Sequence, residues 1–282
     1  MENDLQLLKE AASAVRARLG GREPAIGLIL GSGLGELAEQ IGDAAAIDYG
    51  DIPRFPVSTV PGHAGRFVAG TLEGKAVIVM QGRFHYYEGY PMRVVAWPVY
   101  VMKLLGVRSL IVTNAAGGLN RSYRPGDLML IADHLNLTGA NPLVGPNFEE
   151  LGIRFPDMSE AYSRRLRGLA HRAAAQLAEE GEETLRLQEG VYCGISGPSY
   201  MTPAELTMLA GLGGDAVGMS TVGEVIAARH AGLEVLGISC ITDRAVGEEL
   251  EPLTHEQVME AAERAKPKFA ALVRAILKRM EL

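Results

Sequence analysis

Cysteine is scarce in this sequence: Cys193 and Cys240 are the only two in 282 residues. Each lies inside an apolar run, so neither a disulfide scaffold nor a paired CxxC metal site is available. They read as reduced core thiols, which points to a cytoplasmic home. Basic charge is also short. Lys and Arg number 27 against 34 Asp and Glu, a net charge of −7. That balance argues against a general affinity for nucleic acid or an anionic membrane surface, while leaving room for a small basic pocket. No apolar run reaches the ~18 residues of a membrane span. The acidic, amphipathic start MENDLQLLKE is not a signal peptide. The HExxH zinc spacing and the GxSxG nucleophile elbow are both missing.

What is present is a chain of ordinary globular composition. Leu5, Leu8, Ala12, Val15 and Leu19 recur at helical spacing, and Gly20-Gly21 ends that helix. Ala25 to Leu30 reads as a strand. Arg66 to Leu72 and Ala76 to Gln81 read as a hairpin around Glu73-Gly74. Pro91 opens a helix to about Gly106, with a kink expected at Pro98. Leu110 to Thr113 is a strand that runs into Asn114-Ala115-Ala116-Gly117-Gly118. Residues 139–158 form a long Gly-, Pro- and Asn-rich loop, and loops of that length are usually functional. Helices are expected near 159–180, 203–212 and 222–232, with strands near 187–195 and 234–242. A last amphipathic helix runs from about Glu256 to the end. With no repeat, linker or low-complexity tract, residues 1–282 read as a single α/β domain. Its β-sheet is expected to be mixed, largely buried and flanked by helices.

Several stretches carry chemistry. The first strand empties into Gly31-Ser32-Gly33-Leu34-Gly35 ahead of helical sequence, a turn able to wrap backbone N–H groups around an anion. No Lys follows to make a P-loop, and Glu36 stands where a dinucleotide fingerprint needs a small residue. A small oxyanion remains, or a plain tight turn. In QGRFHYYEG, an extended chain would point Arg83, His85 and Tyr87 to one face. Arg83 offers a fork of donors for phosphate, His85 one more, and Glu88 can hold either in place. His63 in PGHAGR is a weaker candidate, equally readable as a turn histidine under the Gly loop. Ser220 in GMST can cap the next helix and still present a hydroxyl. Asp243 follows the apolar run Ile238 to Thr242. Such an acid either secures a turn or faces a ligand. Ligands in open α/β sheets sit beyond strand carboxyl ends, so one crevice can gather Ser32, Arg83, His85 and Ser220, with Asp243 beyond.

Taken in order, GSGLG, VPGHAGRF, QGRFHYYEGY, VTNAAGGLN, NPLVGPN, RFPDMSEAY, GPSY, DAVGMSTVGEVIAARH and GISCIT resemble the trimeric purine nucleoside phosphorylases. The likeness covers most of the chain. It implies a nucleoside phosphorylase-like fold and reversible attack of inorganic phosphate, the co-substrate, on C1′ of a purine nucleoside. It implies no metal and no other cofactor. The family's phosphate contacts fall on Ser32, Arg83, His85, Ser220 and the N–H of Ala115, with His63 flanking. Its sugar and base contacts fall on Tyr87, Ala116, Gly117, Tyr192, Tyr200, Val217, Met219 and His255, and on positions 201 and 243. The catalytic pair is then His85 and Asp243. A homotrimer is implied, in which Phe155 reaches over a neighbour's sugar.

Two positions depart from the usual 6-oxopurine enzyme. Met201 replaces the Glu that accepts from N1–H, and Asp243 replaces an Asn that donates to N7. Glu205 lies on the following helix and is expected to point elsewhere. A buried N1–H or 2-amino group left unpaired costs roughly 1–3 kcal/mol. Asp243 can accept from a 6-amino group and, protonated, donate to N7. The base preference is therefore expected to move toward adenosine. The alternative is 5′-methylthioadenosine phosphorylase, a sister family that also uses Asp here; His255 in LTHEQ suits a 5′-hydroxyl instead. From other classes, an NAD-dependent oxidoreductase is opposed by Glu36, and a non-catalytic nucleoside or phosphate binder would show no turnover.

Overall fold

A computed structural model describes residues 2–60, 63–180, 185, 187–250, 252 and 254–281. Pro61 and Gly62 of VPGHAGRF and Leu253 of LTHEQ lie outside the described residues. Helix α1 spans Glu2–Arg18, and its Leu8, Ala12 and Val15 are buried. Then come β1 (Ile26–Leu30), β2 (Gly42–Asp48), β3 (Arg66–Leu72) and β4 (Lys75–Gln81). The short α2 (Met92–Val95) and α3 (Trp97–Leu104) follow, then β5 (Ser109–Gly118) and β6 (Leu128–Leu137). Helix α4 (Arg164–Glu179), β7 (Leu187–Ile195), α5 (Pro203–Gly211) and β8 (Ala216–Gly218) lead to α6 (Val222–His230). Strand β9 (Glu234–Arg244) and α7 (His255–Arg279) complete the order.

The strands form one nine-stranded mixed sheet in the order β2-β3-β4-β1-β5-β8-β7-β6-β9. Strand β9 also pairs in parallel with β5, so β5, β8, β7, β6 and β9 close a ring. Strand β1 is parallel to both β4 and β5. The carboxyl ends of β1, β4, β5 and β9 therefore share one edge. Helices cover both faces. Leu8, Val15, Trp97 and Tyr100 pack on one side, and Leu166, Phe269, Leu272 and Ile276 on the other. Cys193 and Cys240 are buried and free.

The helix expected from Pro91 to Gly106 is two pieces, α2 and α3, broken at Ala96 with Pro98 in the first turn of α3. Strand β5 continues through the Ala-Ala-Gly-Gly segment read as its exit, because β9 pairs with it along that length. Strands β2, β6 and β8 are additional to those expected from the sequence. The helix expected after the Gly loop is only a short 3-10 turn, Gly35–Gln40. Gly33 has φ +75, and a Cβ there would lie 2.6 Å from that of Ala262, so α7 rests directly on the Gly loop.

Candidate active site

A cavity of about 550 Å³ opens at the shared strand edge. Each wall belongs to a strand end. Ser32 follows β1, Arg83 and His85 follow β4, and Ala115, Ala116 and Gly117 end β5. Val217 and Gly218 come from β8, and Thr242 and Asp243 from β9. Tyr87, Tyr200, Met201, Met219, Ser220 and His255, all expected from sequence, also line it.

The polar end is tightly wired. Arg83 is 1% exposed. Its Nη1 donates to Ser220 Oγ at 2.8 Å and reaches Thr221 Oγ1 at 3.4 Å. Its Nη2 has no hydrogen-bond partner among the described residues, a buried donor left unpaired in a residue that lines the cavity. Ser220 is not the helix cap expected of it. Thr221 holds that position, and Ser220 is free to accept from Arg83.

Residues 86–88 form a 3-10 turn rather than an extended chain, yet Arg83, His85 and Tyr87 all line the cavity. The rings of His85 and Tyr87 stack at 4.7 Å and 13°. Glu88 anchors the turn from outside. It accepts from Thr59 N and Oγ1, each at 2.7 Å, from His85 N at 2.6 Å and from His85 Nδ1 at 3.2 Å. Burial works against its charge, but these donors hold its carboxyl down at about 2. Burial lowers the His85 imidazole, so the ring is neutral with Nδ1–H directed at Glu88.

Two expected contacts stand one layer back. His63 does not line the cavity: its Nε2 lies 3.3 Å from Ser32 Oγ and its Nδ1 3.1 Å from the Arg83 carbonyl oxygen. Burial first, then His85, lower it to about 4, so it is a neutral brace between the Gly loop and Arg83. Tyr192 is fully buried behind Ser220, whose N–H donates to its hydroxyl at 3.4 Å. The substrate contact expected of Tyr192 is thereby corrected to support, because β7 turns that side chain inward. Phe155 is outside the cavity of its own chain. It is 85% exposed and borders a separate depression with Asn141, Leu143 and Arg154.

The other end is apolar, lined by Ile195, Leu206, Val217, Ala245, Leu250 and Val258 around Met201. None of those additions except Val217 had been foreseen, since apolar residues carry no local mark of lining a site. Asp243 is the only acid in this wall among the described residues. The β5–β9 register shifts so that Ala116 faces Ile241 while Gly117 faces Asp243. Thr242 is left over as a bulge, which breaks the strand alternation and lets both Thr242 and Asp243 face the cavity. Thr242 Oγ1 donates to Asp243 Oδ1 at 2.8 Å. Burial raises the Asp243 carboxyl, and that hydrogen bond opposes the rise. A Cβ on Gly117 would lie 2.9 Å from that of Ala245 and 3.0 Å from Asp243 Oδ2, so glycine leaves this carboxyl its room. Glu205 points elsewhere, accepting from Thr202 N at 2.8 Å as part of the α5 cap. No group of three or more His, Cys, Asp and Glu able to hold a metal occurs among the described residues. None of the described helices is long and apolar enough to cross a membrane.

The chain belongs to the phosphorylase superfamily, whose family model matches residues 25–278. Purine nucleoside phosphorylase 1 of Geobacillus stearothermophilus is 61% identical over 91% of this chain and 92% of its own length. The enzyme of that name from Bacillus subtilis is 55% identical over 97% and 98%. A crystal structure of Schistosoma mansoni purine nucleoside phosphorylase with adenosine superimposes with a TM-score of 0.90 at 45% identity, covering 98% of each chain. Another, with hypoxanthine, gives 0.91 at 44% identity and the same coverage. Within the superfamily, the chain is a member of the purine nucleoside phosphorylases.

The Glu88 anchor has a consequence for acid stability. Its folded pKa lies below the ordinary 4.5, so its contribution is complete above that pH and is lost as pH falls toward about 2. Glu88→Gln removes that contribution. Chemical denaturation should show wild type more stable than the variant near neutral pH, with the gap closing between pH 4.5 and about 2. A gap that stays constant through that window would contradict the assignment.

Proposed function

We propose that this chain cleaves purine nucleosides by reversible phosphorolysis, giving the free base and the pentose 1-phosphate. The observation that carries the reading is one cavity with a donor-rich end at Ser32, Arg83, His85 and Ser220 and an apolar end that holds the Asp243 carboxyl. In this reading phosphate takes the Ser32 and Ser220 hydroxyls, the Arg83 guanidinium, His85 and the Ala115 N–H. The sugar lies against Tyr87, Met219 and His255. The base lies among Ala116, Gly117, Tyr200, Met201, Val217 and Asp243. Because His85 directs Nδ1–H to Glu88, its Nε2 carries a lone pair, matched to the O–H of hydrogen phosphate. As the C1′–N9 bond breaks, positive charge grows on the sugar and the bonding electrons pass to the purine. Phosphate stabilises the first charge and forms the new C1′–O bond. Protonated Asp243 stabilises the second with a hydrogen bond at N7. No covalent enzyme intermediate and no cofactor enters this scheme, in which inorganic phosphate is the co-substrate.

Cleavage should depend strictly on phosphate, and Arg83→Ala should raise the phosphate KM far more than that of the nucleoside. Product formation from purine nucleosides with and without phosphate checks this. Equal rates in phosphate-free buffer would make the enzyme a hydrolase.

The base preference follows from Asp243 and Met201. An ionised Asp243 accepts from the 6-amino group of adenine but opposes O6 of hypoxanthine with lone pair against lone pair. Met201 accepts nothing from N1–H. Adenosine should therefore be favoured over guanosine by about ten- to a hundredfold, with inosine between them and improving at lower pH. Asp243→Asn should move the kcat/KM ratio toward inosine, and adding Met201→Glu should recover guanosine. An unchanged adenosine-to-inosine ratio would return Asp243 to a structural role. The same assay separates the second reading, which Asp243 favours. Methylthioadenosine cleaved much better than adenosine would mean a methylthioadenosine phosphorylase and a His255 that does not serve a 5′-hydroxyl.

Phe155 supports a homotrimer. It stands 85% exposed beside Val144 at 73% and Ile153 at 68%, an apolar group suited to a neighbour's surface. Sedimentation should give three chains per particle, and Phe155→Ala should raise the nucleoside KM. A fully active monomer would refute the shared site.

A further inference from the structure

We infer that Glu224 is a positioning residue that locks Arg83 onto the Ser220–Thr221 turn, so that the two halves of the anion cradle meet phosphate as one rigid unit. The inference rests on the phosphate reading of the donor-rich end. The two halves come from distant parts of the chain: Arg83 follows β4, while Ser220 and Thr221 form the turn between β8 and α6.

That turn is unusual. Thr221 caps α6 with φ 72 and ψ −52, and its side chain makes no capping hydrogen bond. A β-branched residue at positive φ is strained and persists only when its surroundings hold it. Its hydroxyl is turned instead toward Arg83 Nη1 at 3.4 Å and accepts from Asn114 Nδ2 at 2.9 Å.

Glu224, in the first turn of α6, closes the arrangement from behind. Its Oε1 lies 3.3 Å from Arg83 Nε, with the two side chains only 1% and 3% exposed. Burial raises the Glu224 carboxyl, and Arg83 first, then the Thr221 backbone N–H, oppose the rise. One side chain thus grips both the guanidinium and the strained turn. Glu224 is absent from the walls of the main cavity, so it acts through Arg83.

Position and charge can be separated by two conservative variants. Glu224→Asp keeps the charge but withdraws the carboxylate; Glu224→Gln keeps the reach and an acceptor oxygen but loses the charge. The phosphate KM should rise about tenfold in Glu224→Asp and stay within about threefold of wild type in Glu224→Gln. The nucleoside KM should stay within about twofold in both. A merely structural role would lower Tm without separating the two KM values. The inference is overturned if both KM values rise by the same factor, if neither changes, or if Glu224→Gln is the more impaired toward phosphate. Wild-type cleavage without phosphate would overturn the phosphate reading and this inference together. Phosphate-dependent wild type with either contrary pattern overturns the inference alone.

Discussion

Parallel pairing governs the site. Strand β1 lies parallel to β4 and β5, and β5 parallel to β9. Parallel neighbours cannot be joined by a tight turn; they need crossovers, and their carboxyl ends then fall on one edge. Residues as distant in sequence as Ser32 and Asp243 meet across one cavity for that reason. The closure of β9 onto β5 adds a local device. A single extra residue, Thr242, shifts the register beside Gly117 and turns Asp243 inward.

Burial has opposite consequences at the two ends of that cavity. At the polar end, Glu88 retains its charge because Thr59 and His85 donate to it, while Arg83 faces Glu224, whose carboxyl burial raises against the pull of that guanidinium. The imidazoles, with weaker compensation, give way and are neutral. At the apolar end, Asp243 has one hydroxyl donor, and its carboxyl rises. A neutral imidazole beside an anion and a carboxyl inclined to keep its proton beside a purine are the states that the proposed chemistry uses.

The support behind the lining is as specific as the lining itself. His63 braces Ser32 and the Arg83 backbone, Tyr192 stands behind Ser220, and Ala262 of α7 presses on Gly33. These contacts join the Gly loop, the segment after β4, the β8–α6 turn and the last helix. Small displacements of such groups are costly in a close-packed interior.

Sequence by itself determined the elements with strong periodicity and the residues with unmistakable chemistry. The apolar rows of α1 and α7, the β3–β4 hairpin and the ends of β1 and β4 were legible because side-chain period and turn residues are local properties. So were the Gly loop and the Arg83, His85, Tyr87 series, and the ordered motifs identified the family. Tertiary structure alone decided the rest. Strand β6 carries no clean alternation, since its first four residues are buried on both faces. Its existence depends on distant pairing. The apolar wall of Leu206, Ala245 and Leu250 has no sequence mark, because a lining residue and a core residue are chemically alike. Tyr192 and His63 moved one layer back, and Glu224 came forward as a partner of Arg83, through the direction of side chains on strands and turns. Direction depends on register, and register was settled by which strands met.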